Sequence, residues 1–141
     1  MKFWDSSAIL PLIIKEDSSA KILNLLSSDQ EMIVWWGTYL ECISGLARKE
    51  REGILSISDF GIAKKRLKTL ASQWNEIQPI DPIKEVAERL LRNHDLRAAD
   101  SLQLASALIF CQHKPDNLIF VSLDLKLSLA ANKEGFANCE I

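Results

Sequence analysis

The stretch Leu96 to Leu108, L-R-A-A-D-S-L-Q-L-A-S-A-L, most constrains what this chain can become. It is the most apolar helical segment in the sequence and carries one carboxylate, Asp100, near its start. Leu104 and Leu108 are four apart, as are Ala98 and Leu102, and Ala105 and Ile109, so apolar residues fall on more than one face. That pattern predicts a helix buried nearly all round. An Asp entering such an element must be paired, bound to metal or used as a cap. Asp100 begins D-S-L-Q, close to a capping box with Gln103, and this segment alone leaves capping and metal binding open.

The rest of the chain alternates short β-rich runs with helical patterns. Lys2 to Asp5 reads as a first strand with Asp5 at its C-terminal end, and Ser6 to Ile14 as a helix whose first turn takes Pro11. Asp17 to Leu26 reads as a second helix with Ala20, Leu23 and Leu26 on one face and Ile22 beside it. Met32 to Trp36 is a buried strand broken by Gly37, after which Thr38 opens a helix that stops at Gly53. Ser58 to Trp74 is amphipathic, Ile77 to Ile80 is a short strand, and Asp81-Pro82 begins a helix through Asn93. Beyond the central helix, Asp116-Asn117 turn into the strand Leu118 to Ser122; Asp124 then precedes a helix to Asn132. A turn at Glu134-Gly135 leads to a last strand near Phe136 to Cys139. Strands alternating with helices imply right-handed crossovers and a mostly parallel sheet covered on both faces.

The 141 residues suffice for one domain, 1–141, with one real core. Net charge is −2, which gives no global basic signal for nucleic acid and counts against holding a duplex by charge alone. An enzyme that touches a few phosphates with the help of metal ions stays open. Cys42, Cys111 and Cys139 are far apart and odd in number, so neither a disulfide framework nor a zinc ribbon is indicated, and a reducing cytoplasm fits best. His94 and His113 lack partners at zinc spacing and read as helix-end residues. No signal peptide or membrane span is expected: Asp5 follows the opening F-W at once, and the run Ala8 to Ile14 is short and holds Pro11.

Ligands of open parallel sheets bind beyond the carboxyl ends of the strands, where strand order reverses. Asp5 and Asp124 stand there, and Glu41 and Asp100 are each near the N-terminus of a neighbouring helix. Four carboxylates from four elements can therefore point into one cleft. Empty, such a cluster repels itself; a hard divalent cation removes the conflict, activates a water and neutralises a phosphodiester. Ser6 and Ser122 would orient carboxylates or waters. Each acid also has a capping alternative, the fullest being T-Y-L-E, which makes a complete capping box of Thr38 and Glu41.

The segments F-W-D-S-S-A-I-L-P-L, W-W-G-T-Y-L-E-C-I-S-G-L-A-R, L-R-A-A-D-S-L-Q-L-A-S-A-L and F-V-S-L-D-L-K-L, in this order and spacing, resemble those of the PIN-domain ribonucleases. Within them the chain looks like the VapC-type toxins of prokaryotic toxin–antitoxin pairs, nearly end to end. The resemblance implies an α/β/α sandwich with a five-stranded, mostly parallel sheet in order 3-2-1-4-5. It makes Asp5, Glu41, Asp100 and Asp124 the catalytic, metal-binding acids and matches Ser6 and Ser122 to the family's hydroxyl positions. It implies magnesium- or manganese-dependent (Mg2+ or Mn2+) cleavage of single-stranded RNA, a homodimer, and silencing by a small cognate VapB-type antitoxin. Arg48, seven residues beyond Glu41, and Arg97, close to Asp100, are candidates for substrate or antitoxin contact or for pairing with an acid. Lys64 to Lys68 read as a solvated helix face. Trp4, Trp35 and Trp36 read as core residues, not base-stacking platforms. The helices Asp17 to Leu26 and Ser58 to Trp74 carry apolar faces open to core or partner.

Three other readings compete, one of them a non-catalytic RNA-binding or purely antitoxin-binding relative, against which the presence of all four acids argues. A receiver-type signalling domain also binds magnesium in a doubly wound fold, but it needs paired acids at the first strand, where Asp5 stands alone. A PIN-type nuclease that processes RNA without being a toxin would carry the same acids.

Overall fold

The computed structural model describes residues 1–139. Its elements run β1 (Lys2–Trp4), α1 (Ser6–Ile13), α2 (Ser19–Ser28), β2 (Met32–Trp35), α3 (Thr38–Arg51), α4 (Ile57–Ala71), β3 (Asn75–Ile77), α5 (Asp81–Asn93) and α6 (Ala98–Phe110). A 3-10 turn at Pro115–Asn117 then leads to β4 (Ile119–Val121), α7 (Leu125–Lys133) and β5 (Ala137–Asn138). The five strands form one parallel sheet in the order β3-β2-β1-β4-β5, the order implied by the resemblance.

Successive residues of a strand face opposite sides of a sheet, and this sheet buries both. Phe3, Ile33 and Phe120 face a core closed by α5, α6 and α7, where Phe3 stacks on Phe120 with centroids 5.1 Å apart. Trp4, Val34 and Val121 face a second core, built with residues of α1 to α4. Phe3 and Trp4 are both fully buried, each worth about 2–3 kcal/mol in removed apolar surface. The central helix α6 is buried from Gln103 through Leu108, as its all-round apolar pattern predicts.

Local differences from the sequence reading have physical reasons. Pro11 is the sixth residue of α1, buried in its interior, because Asp5 caps the helix earlier than a first-turn proline would need. Lacking an N–H, it leaves the Ser7 carbonyl without its helical partner. The second helix starts at Ser19 and turns Ile22, Leu25 and Leu26 inward, leaving Ala20 and Leu23 exposed. Helix α4 starts at Ile57 because Ser56 and Asp59 form a reciprocal capping box, and Trp74 is buried beyond its end. Strand β3 ends at Ile77, so Gln78 to Ile80 connect it to α5. Trp36 is 53% exposed and not a core residue; β2 ends one residue before it. No helix among the described residues is long and apolar enough to cross a membrane.

Candidate active site

The carboxyl ends of β1 and β4 meet at the centre of the sheet, and Asp5 begins the site there. Its N–H still bonds the Val121 carbonyl at 3.1 Å, so the β1–β4 ladder fixes its backbone. Its side chain caps α1 by accepting from the Ser7 N–H, and it also accepts from the hydroxyls of Ser122 and of Ser7, the latter at 3.1 Å. The two hydroxyls lie 3.3 Å apart, and backbone donors hold both: Leu123 N–H to Ser7 Oγ at 2.9 Å and Asp124 N–H to Ser122 Oγ at 3.1 Å. Asp5 is thus a buried carboxylate (2% exposed) oriented by hydroxyls and an amide.

Glu41 lies in the first turn of α3, and the capping box with Thr38 does not form. Gly37 occupies the cap position without a side chain, and Thr38 is buried inside the first turn, where its Oγ1 accepts from Gln103 Nε2 at 2.9 Å. Freed from capping, the Glu41 carboxylate accepts from the same Gln103 amide at 2.8 Å and from Ser6 Oγ at 3.4 Å. Gln103 is buried in α6 and therefore does not close a capping box with Asp100 either. Its Oε1 meets no donor among the described residues, so a buried acceptor beside Glu41 is left over.

Asp100 stands in the first turn of α6, half-buried, accepting from the Arg97 N–H at 3.3 Å. Asp124 caps α7 through Oδ1, which accepts from Leu127 N–H at 2.9 Å, and is otherwise exposed. Capping therefore does occur at Asp5, Asp100 and Asp124, in each case without exhausting the carboxylate.

Electrostatics joins the four acids. Burial pushes the Asp5 carboxyl up to about 6 against the hydrogen bonds from Ser122 and Ser7, and the charge of Asp124 adds to the rise. Burial likewise pushes Glu41 up to about 7; Gln103 and Ser6 oppose it, while Asp5 and Asp100 reinforce it. Asp100 is raised by burial and by Asp124, against the Arg97 amide. The repulsions close into a ring, Asp5 to Glu41 to Asp100 to Asp124 and back. None of the ion pairs among the described residues includes any of these acids. Arg48 and Arg97 are exposed and in no ion pair among the described residues, though the Arg97 charge partly offsets the rise of Asp100.

The donors fit a hard divalent cation in kind: all oxygen, negatively charged and outside every ion pair among the described residues. They do not make a closed cage. Among the described residues, no three acidic, histidine or cysteine side chains stand close enough to surround one ion. Magnesium keeps several waters and needs only one or two direct carboxylates, so a wide oxygen cleft suits it.

Ser7 was missing from the sequence reading, and Thr38 and Gln103 entered it only as capping residues. Ser7 is masked by its neighbour in the S-S pair after Asp5; only the helix phase decides which hydroxyl turns back. Gln103, three residues after Asp100, has the spacing of a capping partner, and its real partner is 62 residues away on α3.

No family model and no curated protein matches the sequence. Solved structures do share its fold. A toxin–antitoxin complex from Klebsiella pneumoniae has a chain that is 16% identical, with 89% of this chain and 88% of that one covered at a TM-score of 0.64. FitAcB from Neisseria gonorrhoeae is 18% identical over 99% of this chain and 97% of that one, TM-score 0.67. VapC20 of Mycobacterium tuberculosis, a toxin that cleaves the sarcin–ricin loop, is 13% identical over 97% of each chain, TM-score 0.65. The chain therefore has the PIN-like fold of these structures.

Proposed function

We propose that this chain is a metal-dependent endoribonuclease, the toxin of a toxin–antitoxin pair, that hydrolyses phosphodiester bonds of single-stranded RNA. One observation carries the reading. Four carboxylates, delivered by four separate elements to the carboxyl edge of the sheet, repel one another, and none of them is in an ion pair among the described residues. The fold shared with toxin structures supports the same reading.

Asp5, Glu41, Asp100 and Asp124 would hold magnesium or manganese, directly or through water. When bound, the metal supplies a water nucleophile at neutral pH and positive charge for the phosphate oxygens. The chain's own residues do the rest. Ser7 and Ser122 fix the Asp5 carboxylate by hydrogen bonds to it, and Gln103 and Ser6 fix that of Glu41. Partners follow from the same reading: an RNA substrate, a second copy of the chain, and a small antitoxin whose basic side chain would enter the acidic cleft.

The test is cleavage of labelled single-stranded RNA by purified protein, with magnesium or manganese and with chelator, beside Asp100→Asn. Metal-dependent cutting lost in the variant is expected. Cutting that survives the variant, or that ignores chelation, defeats the proposal.

A further inference from the structure

Of the four tryptophans, Trp4, Trp35 and Trp74 are buried, and Trp36 alone is open. Its position is specific. Strands β1 and β2 pair Lys2 with Met32 and Phe3 with Ile33; continued upward, that register sets Asp5 level with Trp35 and Trp36 one residue higher. Adjacent strands are about 4.8 Å apart, so the Trp36 backbone lies at the carboxyl edge of the sheet, on the strand beside the one that delivers Asp5. Its backbone is held, because its N–H bonds the Ile77 carbonyl at 3.0 Å. Its ring is braced edge to face by Trp35, with centroids 6.4 Å apart at 73°. Gly37 makes room for that bracing ring: a Cβ there would stand 2.7 Å from Trp35 Nε1. The Gly37 carbonyl in turn accepts from the Glu41 N–H at 3.0 Å, so the indole and the carboxylate belong to one ordered turn.

An indole braced by Trp35 yet half exposed, at the same edge of the sheet as the carboxylates, is not explained by packing. The charge of the chain says what it suits. Net charge is −2, and the cleft itself is acidic, so attraction to phosphates does not by itself retain an RNA strand here. A nucleobase is neutral and presents a flat face, and in single-stranded RNA that face is free to stack on an aromatic side chain. Resting on the nuclease reading, we infer that Trp36 is a base-stacking site, holding one unpaired nucleobase of the RNA strand beside the phosphate that the carboxylates act on. It binds RNA by a contact the acidic cleft does not repel, and it favours single strands over duplex because a paired base has no free face.

The test uses the indole itself. As the other tryptophans are buried, quenching of protein fluorescence by a stacked base reports Trp36. With magnesium present, Asp100→Asn protein is titrated with single-stranded 12-mers of A, C, G and U and with the corresponding duplexes. The single strands are expected to quench and the duplexes not. Trp36→Ala, in the same background, should bind the single strands at least about ten-fold more weakly by anisotropy, and Trp36→Phe should recover most of that loss. In the cleaving protein, Trp36→Ala should raise KM and leave kcat within a few-fold. Unchanged RNA affinity in Trp36→Ala, or quenching by duplex as strong as by single strand, overturns the inference. So does a fall from dimer to monomer in Trp36→Ala, which would make the indole a contact between two copies. Asp100-dependent cutting without quenching defeats this inference and leaves the nuclease reading standing. Quenching by single strands without cutting of any RNA by the unmodified protein does the reverse.

Discussion

Glu41 and Glu134 are both glutamates partly withdrawn from water, and the fold treats them in opposite ways. Burial pushes Glu134 up, yet the hydrogen bonds and charges of Arg89 and His94 outweigh it and hold the carboxyl below its usual range. Arg89 makes two bonds to Glu134, at 2.8 and 3.3 Å, and His94 one at 2.7 Å, tying the end of α7 to α5. Glu41 receives an amide and a hydroxyl, no cation, and two acids as neighbours, and it rises to about 7. A carboxylate that only holds a fold together obtains its countercharge from the chain. One left without it, among others in the same state, is what the proposed metal site would require.

The largest effect that could break this contrast is on activity. Asp100→Asn should lower RNA cleavage at least a thousand-fold while the melting temperature stays within a few degrees, since Asn also accepts from the Arg97 amide. A collapse of stability with cleavage per folded molecule unchanged would return Asp100 to a structural role.

The next effect is on stability. Asp5 and Glu41 are raised to about 6 and about 7, above unfolded values near 4. Their contribution is therefore complete below about pH 4 and lost as pH rises through 6 and 7. Metal-free protein should melt roughly 5 °C lower at pH 8 than at pH 5, and added manganese should recover most of the difference at pH 8 and little at pH 5. A melting temperature blind to manganese at both pH values would break the comparison from the Glu41 side. Glu134 has the opposite sign: its contribution is present above its unfolded value and lost in acid.

Smaller still is Glu134→Gln. It should cost about 1 kcal/mol, because Arg89 is nearly half exposed and screened, with cleavage untouched. Loss of cleavage there would mean that the two glutamates do not divide as described. Lys65→Ala should change neither stability nor RNA binding beyond error, and a sharp loss of RNA affinity would make the exposed face of α4 a substrate surface.

The two regions also differ in how they could be read beforehand. Periodicity and capping located α5 to the residue and placed every strand within a few residues, because the local chemistry and the sheet agree there. Asp5 and Asp124 were legible as acids at strand ends. Ser6 and Ser122 were legible as hydroxyls beside the acids, whereas Gln103 was not, because it reaches Glu41 across 62 residues. Trp36 was misread because the run M-I-V-W-W carries no mark of where the sheet stops. That stop is set by the register with β1 and by Gly37.

The pairing of Asp5 with Ser122 has a temporal side. Translation delivers Asp5 117 residues before the hydroxyl that holds it, and the β1–β4 ladder cannot form until Val121 has also emerged. A growing chain therefore carries its first acid without the strand or the hydroxyl that makes it part of a site until Ser122 has been added.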